Sequence, residues 1–188
     1  SVTIACVSIL LIGTPLTLLD AQSASVPPML GRLVATDAGH KLHVWCTGEG
    51  SPTVVLITGG GSFSLDWAGV QPAIAAKTRV CSYDRADEGW SDFGPHPRTL
   101  HQIVYELHTL LDRASVRPPY VFVGHSFGGV VVRFFRLTYP TEVVGMVLVE
   151  AGRDNPLRMM PNANLVHSAD LATGKAIPAV KTGNPVHE

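Results

Sequence analysis

An α/β fold on a mostly parallel sheet is predicted by three observations. Thr53–Ile57, residues 120–124 and Val143–Val149 are unbroken apolar runs, the pattern of strands covered on both faces. Residues 99–114 carry helical periodicity, residues 128–139 read as a helix stopped by Pro140, and both lie between those runs. Strands that alternate with helices in this way form right-handed parallel crossover units.

Composition narrows the class. The chain has 188 residues, 46% hydrophobic and 15% charged, with a formal net charge of −1. That is enough for one domain with a core. It excludes a disordered chain and gives no electrostatic attraction to nucleic acid or an anionic membrane. The 18 Gly and 14 Pro fall at turns rather than in a low-complexity tract.

Residues 2–19 are almost wholly apolar and uncharged, and the small residues Ala21, Ser23, Ala24 and Ser25 follow. An apolar core ahead of small residues is how a secretory signal ends. Residues 1–25 are therefore read first as a cleaved signal, with a membrane tether through residues 2–19 and a buried segment as the other readings. Gly13 and Pro15 sit badly in a spanning helix, and the run is at the short limit for one. The expected destination is export, to the periplasm or beyond, with or without a membrane anchor.

Residues 33–36 and 41–46 read as a hairpin turned at Asp37-Ala38-Gly39. Thr53–Ile57 then runs into Thr58-Gly59-Gly60-Gly61-Ser62, a loop whose tightness calls for glycine. A short helix is expected over 66–76 and a strand over 79–83, followed by a Gly/Pro-rich loop to Pro97. Leu100, Ile103, Val104, Leu107, Leu110, Leu111 and Ala114 keep the i, i+3, i+4, i+7 rule, and Thr99 can cap that helix. A buried strand follows over 120–124. A helix over 128–139 is stopped by Pro140, and Val143–Val149 is again expected as a buried strand. Periodicity fails after Ala151, so residues 30–152 are taken as the core and 153–188 as the start of an inserted segment.

The chemistry sits at Gly124-His125-Ser126-Phe127-Gly128. A G-x-S-x-G match alone is common. Here a buried strand leads in and a helix leads out, which is the setting a nucleophile elbow needs. The plain alternative is a glycine-rich turn with an incidental serine. The 58–62 loop can supply a second element. An oxyanion hole needs two fixed backbone N–H groups, and Phe127 and Gly60 are the candidates. A phosphate loop is the rival reading, but no Lys-Ser/Thr pair follows these glycines.

Taken together, Thr58-Gly59-Gly60-Gly61, Tyr83-Asp84-Arg85 with Gly89-Trp90-Ser91-Asp92, and Gly124-His125-Ser126-Phe127-Gly128-Gly129 resemble the α/β-hydrolase superfamily, in its esterase, lactonase and non-haem haloperoxidase-like branch. The resemblance covers residues 33–152. It implies an α/β-hydrolase fold, truncated here after about the sixth strand, and a serine hydrolase working through an acyl-enzyme on an ester-like small-molecule substrate, without a cofactor. Two departures stand out. Thr58 replaces a histidine common in the family, and Ala86-Asp87-Glu88 replaces a glycine-containing turn. A serine at the elbow argues against the epoxide hydrolases and dehalogenases of this fold, which use Asp. A non-catalytic binding protein is one other reading, and perhydrolysis or carbon–carbon bond hydrolysis at the same elbow is another.

The resemblance also implies an acid and then a histidine after the serine, the histidine following an eighth strand. Only one further strand is legible after Ser126, so this chain is expected to be an incomplete copy that lacks the base and is inactive alone. Glu150 occupies the position some members use for the acid; a local strand-end hydrogen bond is its plainer reading. His167 and His187 lie in unpatterned sequence and are not taken as the base. His40, His43, His96, His101 and His108 show no zinc-ligand spacing, and no metal is expected. In the family's sheet order the strands holding Cys46 and Cys81 are antiparallel neighbours. With export, that implies a disulfide between them; two free buried cysteines are the alternative.

Overall fold

The computed structural model describes residues 28–151. The expectations for residues 1–25, for the inserted segment at 153–188 and for His167 and His187 lie outside these residues. Six strands form one sheet: β1 (Arg32–Ala35), β2 (Lys41–Thr47), β3 (Thr53–Ile57), β4 (Val80–Tyr83), β5 (Tyr120–His125) and β6 (Val143–Val149). Their order across the sheet is β1-β2-β4-β3-β5-β6. β1 and β2 are antiparallel, and β2 pairs antiparallel with β4. β3 pairs parallel with both β4 and β5, and β5 parallel with β6. β3 is central, with all five residues buried, and the 58–62 loop leaves from its C-terminal end beside that of β5.

The alternation of β3 sorts the core into two layers. Val55 and Ile57 join the larger cluster with the apolar stripes of α2 (Leu100–Arg113) and α3 (Phe127–Thr138), including Leu107, Leu110, Val131 and Phe135. Val54 and Leu56 join a smaller one with Val80, against which Trp67, Ile74 and Ala75 pack. Thr99 caps α2 as expected, its side chain accepting a hydrogen bond from Gln102 N at 3.2 Å.

Three local expectations need correction. The helix expected over 66–76 is two pieces, a 3₁₀ turn at Ser64–Trp67 and α1 (Gln71–Ala75). The turn through Gly69-Val70 separates them, and Pro72, which lacks an N–H, sits in the first turn of the second piece, where it belongs. β5 is covered fully on one face only, because Val121 and Val123 meet the thinner α1 layer. β6 is not buried: Val144 is 62% exposed, and Met146, Val147, Leu148 and Val149 are exposed too. It is one of the two edge strands of the described sheet, with a neighbour on one side only.

Candidate active site

The elbow is a forced piece of backbone. β5 ends at His125 and α3 begins at Phe127, leaving Ser126 alone at the N-cap with φ 49° and ψ −118°. A non-glycine residue there carries strain on the order of 1–3 kcal/mol, held by its surroundings. Those surroundings are visible. Ser126 N donates to Val149 O at 3.0 Å, and Gly129 N donates to Ser126 O at 3.0 Å. The flanking glycines let the helix approach: a Cβ on Gly124 would lie 2.7 Å from the Gly128 carbonyl oxygen, and one on Gly128 would lie 2.4 Å from that of Ile57. The result lifts Ser126 out exposed at the start of α3, where the helix dipole favours negative charge.

The 58–62 loop stands beside it. Thr58 Oγ1 donates to Ser62 O at 3.0 Å and closes the loop on itself. A Cβ on Gly59 would sit 3.4 Å from Ser126 Cβ, and one on Gly60 would sit 4.0 Å from Phe127 Cβ. The N–H groups of Gly60 and Phe127, the two candidate oxyanion donors, have no protein acceptor among the described residues.

Glu150 follows β6 with φ 47°, and its side chain is 85% exposed. Its Oε2 lies 3.9 Å from His125 Nε2. The His125 ring packs over Gly59, where a Cβ would meet Nδ1 at 3.1 Å. No histidine hydrogen-bonds Ser126 Oγ among the described residues. Cys46 and Cys81 face each other across β2 and β4, with Cα atoms 4.1 Å apart, and are joined as a disulfide. Among the described residues no group of three or more His, Cys, Asp or Glu is placed to hold a metal ion, and no helix is long and apolar enough to cross a membrane.

Two arrangements near the site escaped sequence reasoning. The first is buried. His43 Nδ1 lies 3.1 Å from Asp84 Oδ2 and 3.3 Å from Ser64 Oγ, and Nε2 faces the Leu30 carbonyl. The residue types are those of a catalytic triad, but a relay needs the carboxylate on one ring nitrogen and the hydroxyl on the other. Here both face Nδ1 and the set is sealed from solvent, so it is a structural knot. Burial pushes the Asp84 carboxyl up, but the bonds from His43 and from the Trp90 and Ser64 backbone N–H groups outweigh it and hold the group below its ordinary range. The second arrangement is Arg85. Its guanidinium donates to Thr58 O at 2.7 Å and to Gly59 O, and pairs with Glu88 Oε2 at 2.6 Å. Only the chain order of Tyr83-Asp84-Arg85 after a strand hinted at either.

A parallel-centred sheet with a strained serine between strand and helix defines a class, and comparison with known proteins agrees. Residues 52–179 match the model of the alpha/beta hydrolase fold. The chain belongs to the α/β-hydrolase family. It is 35% identical over 130 residues to a protein named "Probable transporter efuK" of Hormonema carpetanum, covering 65% of this chain and 19% of that one. It is 30% identical over 137 residues to a 2-hydroxy-6-oxononadienedioate/2-hydroxy-6-oxononatrienedioate hydrolase of Paraburkholderia xenovorans, covering 69% and 46%. Among solved structures, a meta-cleavage product hydrolase (CumD) of Pseudomonas fluorescens IP01 superposes with a TM-score of 0.58 at 27% identity, covering 65% of this chain and 46% of that one. The chain thus spans less than half the length of each of these relatives.

Proposed function

We propose that the full-length protein is a serine hydrolase that cleaves an ester-like small molecule through an acyl-enzyme. The observation that carries this reading is the exposed Ser126, held at positive φ between β5 and α3. A strained residue at such a turn is kept where its direction matters. In the proposed cycle Ser126 Oγ attacks the substrate carbonyl carbon and its proton passes to a histidine outside residues 28–151. The Gly60 and Phe127 N–H groups receive the oxyanion. The histidine returns the proton to the leaving group, and water then cleaves the acyl-enzyme and regenerates Ser126. Glu150 is the candidate acid within the described residues, on its place at the end of β6. Export is part of the same reading, supported by the Cys46–Cys81 disulfide, because such bridges persist in oxidising compartments.

Ser126→Ala in the full-length protein tests the nucleophile. Ester hydrolysis should fall on the order of 10⁶-fold, the loss known for a comparable serine enzyme. Hydrolysis at wild-type rate by a folded Ser126→Ala protein would remove the reading. A second reading keeps the elbow and changes the bond, to a carbon–carbon bond beside a carbonyl. The likeness to hydrolases of meta-cleavage products and of 2-hydroxy-6-oxo dioates favours it. Parallel assays with esters and with a 2-hydroxy-6-oxo dienoate separate the two.

A further inference from the structure

Arg85 is buried, with only 4% of its side chain exposed, and every partner it has belongs to the site. It donates to the carbonyls of Thr58 and Gly59, and its Cζ lies 5.5 Å from the centre of the Phe127 ring. Its ion-pair partner Glu88 accepts from Gly61 N at 3.1 Å through Oε1 while meeting Arg85 through Oε2. One side-chain pair therefore grips both ends of the 58–61 turn and touches the residue after the nucleophile.

A peptide group points its C=O and the next N–H in opposite directions. Holding the Gly59 carbonyl on the guanidinium therefore turns the Gly60 N–H the other way, away from Arg85. Without that hold the peptide could turn over, because glycines on both sides of it offer little resistance. The Gly61 N–H is consumed by Glu88, whereas the Gly60 N–H has no protein acceptor among the described residues.

We propose that Arg85, locked by Glu88, is a positioning residue: it fixes the Gly60 peptide so that its N–H serves the oxyanion. The inference rests on Ser126 being the nucleophile. An oxyanion donor acts in the transition state, so its misplacement lowers kcat rather than raising KM.

The test is a set of variants of the full-length protein: Arg85→Lys, Arg85→Gln, Glu88→Ala and, in parallel, Ser126→Ala. Each is assayed for ester kinetics, for inhibition by a trifluoromethyl ketone and for thermal unfolding. Arg85→Gln should lose on the order of 10²-fold in kcat, the size of effect that follows loss of one oxyanion donor. Affinity for the ketone, which mimics the tetrahedral adduct, should fall in step with kcat/KM across the set. Arg85→Lys should recover only part of the loss, because one ammonium cannot hold both carbonyls in the fork geometry. Glu88→Ala should show a smaller drop in the same direction, and it decides the matter where the Arg85 variants do not fold. A folded Arg85→Gln or Glu88→Ala protein with wild-type kcat and ketone affinity, or with a change in KM alone, overturns the positioning role while leaving the nucleophile standing. Activity surviving in Ser126→Ala overturns both.

Discussion

His43 and Asp84 meet at 3.1 Å with neither side chain exposed. A group so placed is expensive to alter, because Asp84 also accepts from Ser64 N at 2.6 Å and Trp90 N at 2.9 Å, and a buried donor that loses its acceptor is left unsatisfied. Asp84→Asn should destabilise the protein at neutral pH by about 1–3 kcal/mol, read from denaturant unfolding, because the amide NH2 cannot accept an N–H bond. The pH dependence follows from the direction of the shift. The folded carboxyl titrates below its unfolded value, so its contribution is fully present above about pH 4 and fades as pH falls through the lower folded value. The wild type should therefore lose stability below about pH 4 more steeply than Asp84→Asn. Parallel acid limbs in the two proteins would show that the knot carries no such charge. None of this was legible in the sequence. His43 and Asp84 lie 41 positions apart, and only the pairing of β2 with β4 brings them together. The turn at Ser126 was legible, because a strand, a tight Gly-x-Ser-x-Gly turn and a helix are written in consecutive residues.

At the scale of elements, legibility followed periodicity. Residues 100–113 carry an uninterrupted apolar stripe and a capping threonine, and α2 matches them closely. The segment after the glycine loop has a weaker stripe with Gly69 and Pro72 inside it, and it breaks into two short pieces. β6 shows what an apolar run cannot say. Val143–Val149 has the composition of a covered strand, yet most of it is exposed, because coverage depends on neighbours outside the segment. An exposed apolar edge strand is a template for pairing with other chains. In a protein limited to residues 28–151, Val147→Lys should reduce concentration-dependent association, measured by light scattering; an unchanged or greater signal would place the sticky surface elsewhere. The elbow's own geometry predicts that Gly128→Ala is severe. Its Cβ would meet the Ile57 carbonyl oxygen at 2.4 Å, so α3 must move away from β3. A loss of about 2 kcal/mol or more is expected, together with loss of ester turnover.

For the whole molecule, the disulfide ties the antiparallel β1–β2 ribbon to the parallel half of the sheet through β4. Its cysteines are 35 positions apart, and on the chain-entropy model closing a loop of that size stabilises by about 3–4 kcal/mol. Mass spectrometry of the non-reduced, exported protein should find Cys46 and Cys81 linked, and reduction should lower stability by about that amount. Two free thiols in a folded protein would make them packing residues and would weaken the proposal of export. The central claim concerns Ser126, and covalent mapping tests it most directly. The full-length protein is treated with a fluorophosphonate, digested, and the modified residue located by tandem mass spectrometry. The account predicts a single adduct on Ser126, formed rapidly and absent from Ser126→Ala. Rapid labelling at another serine, or none in a protein that hydrolyses esters, would contradict it.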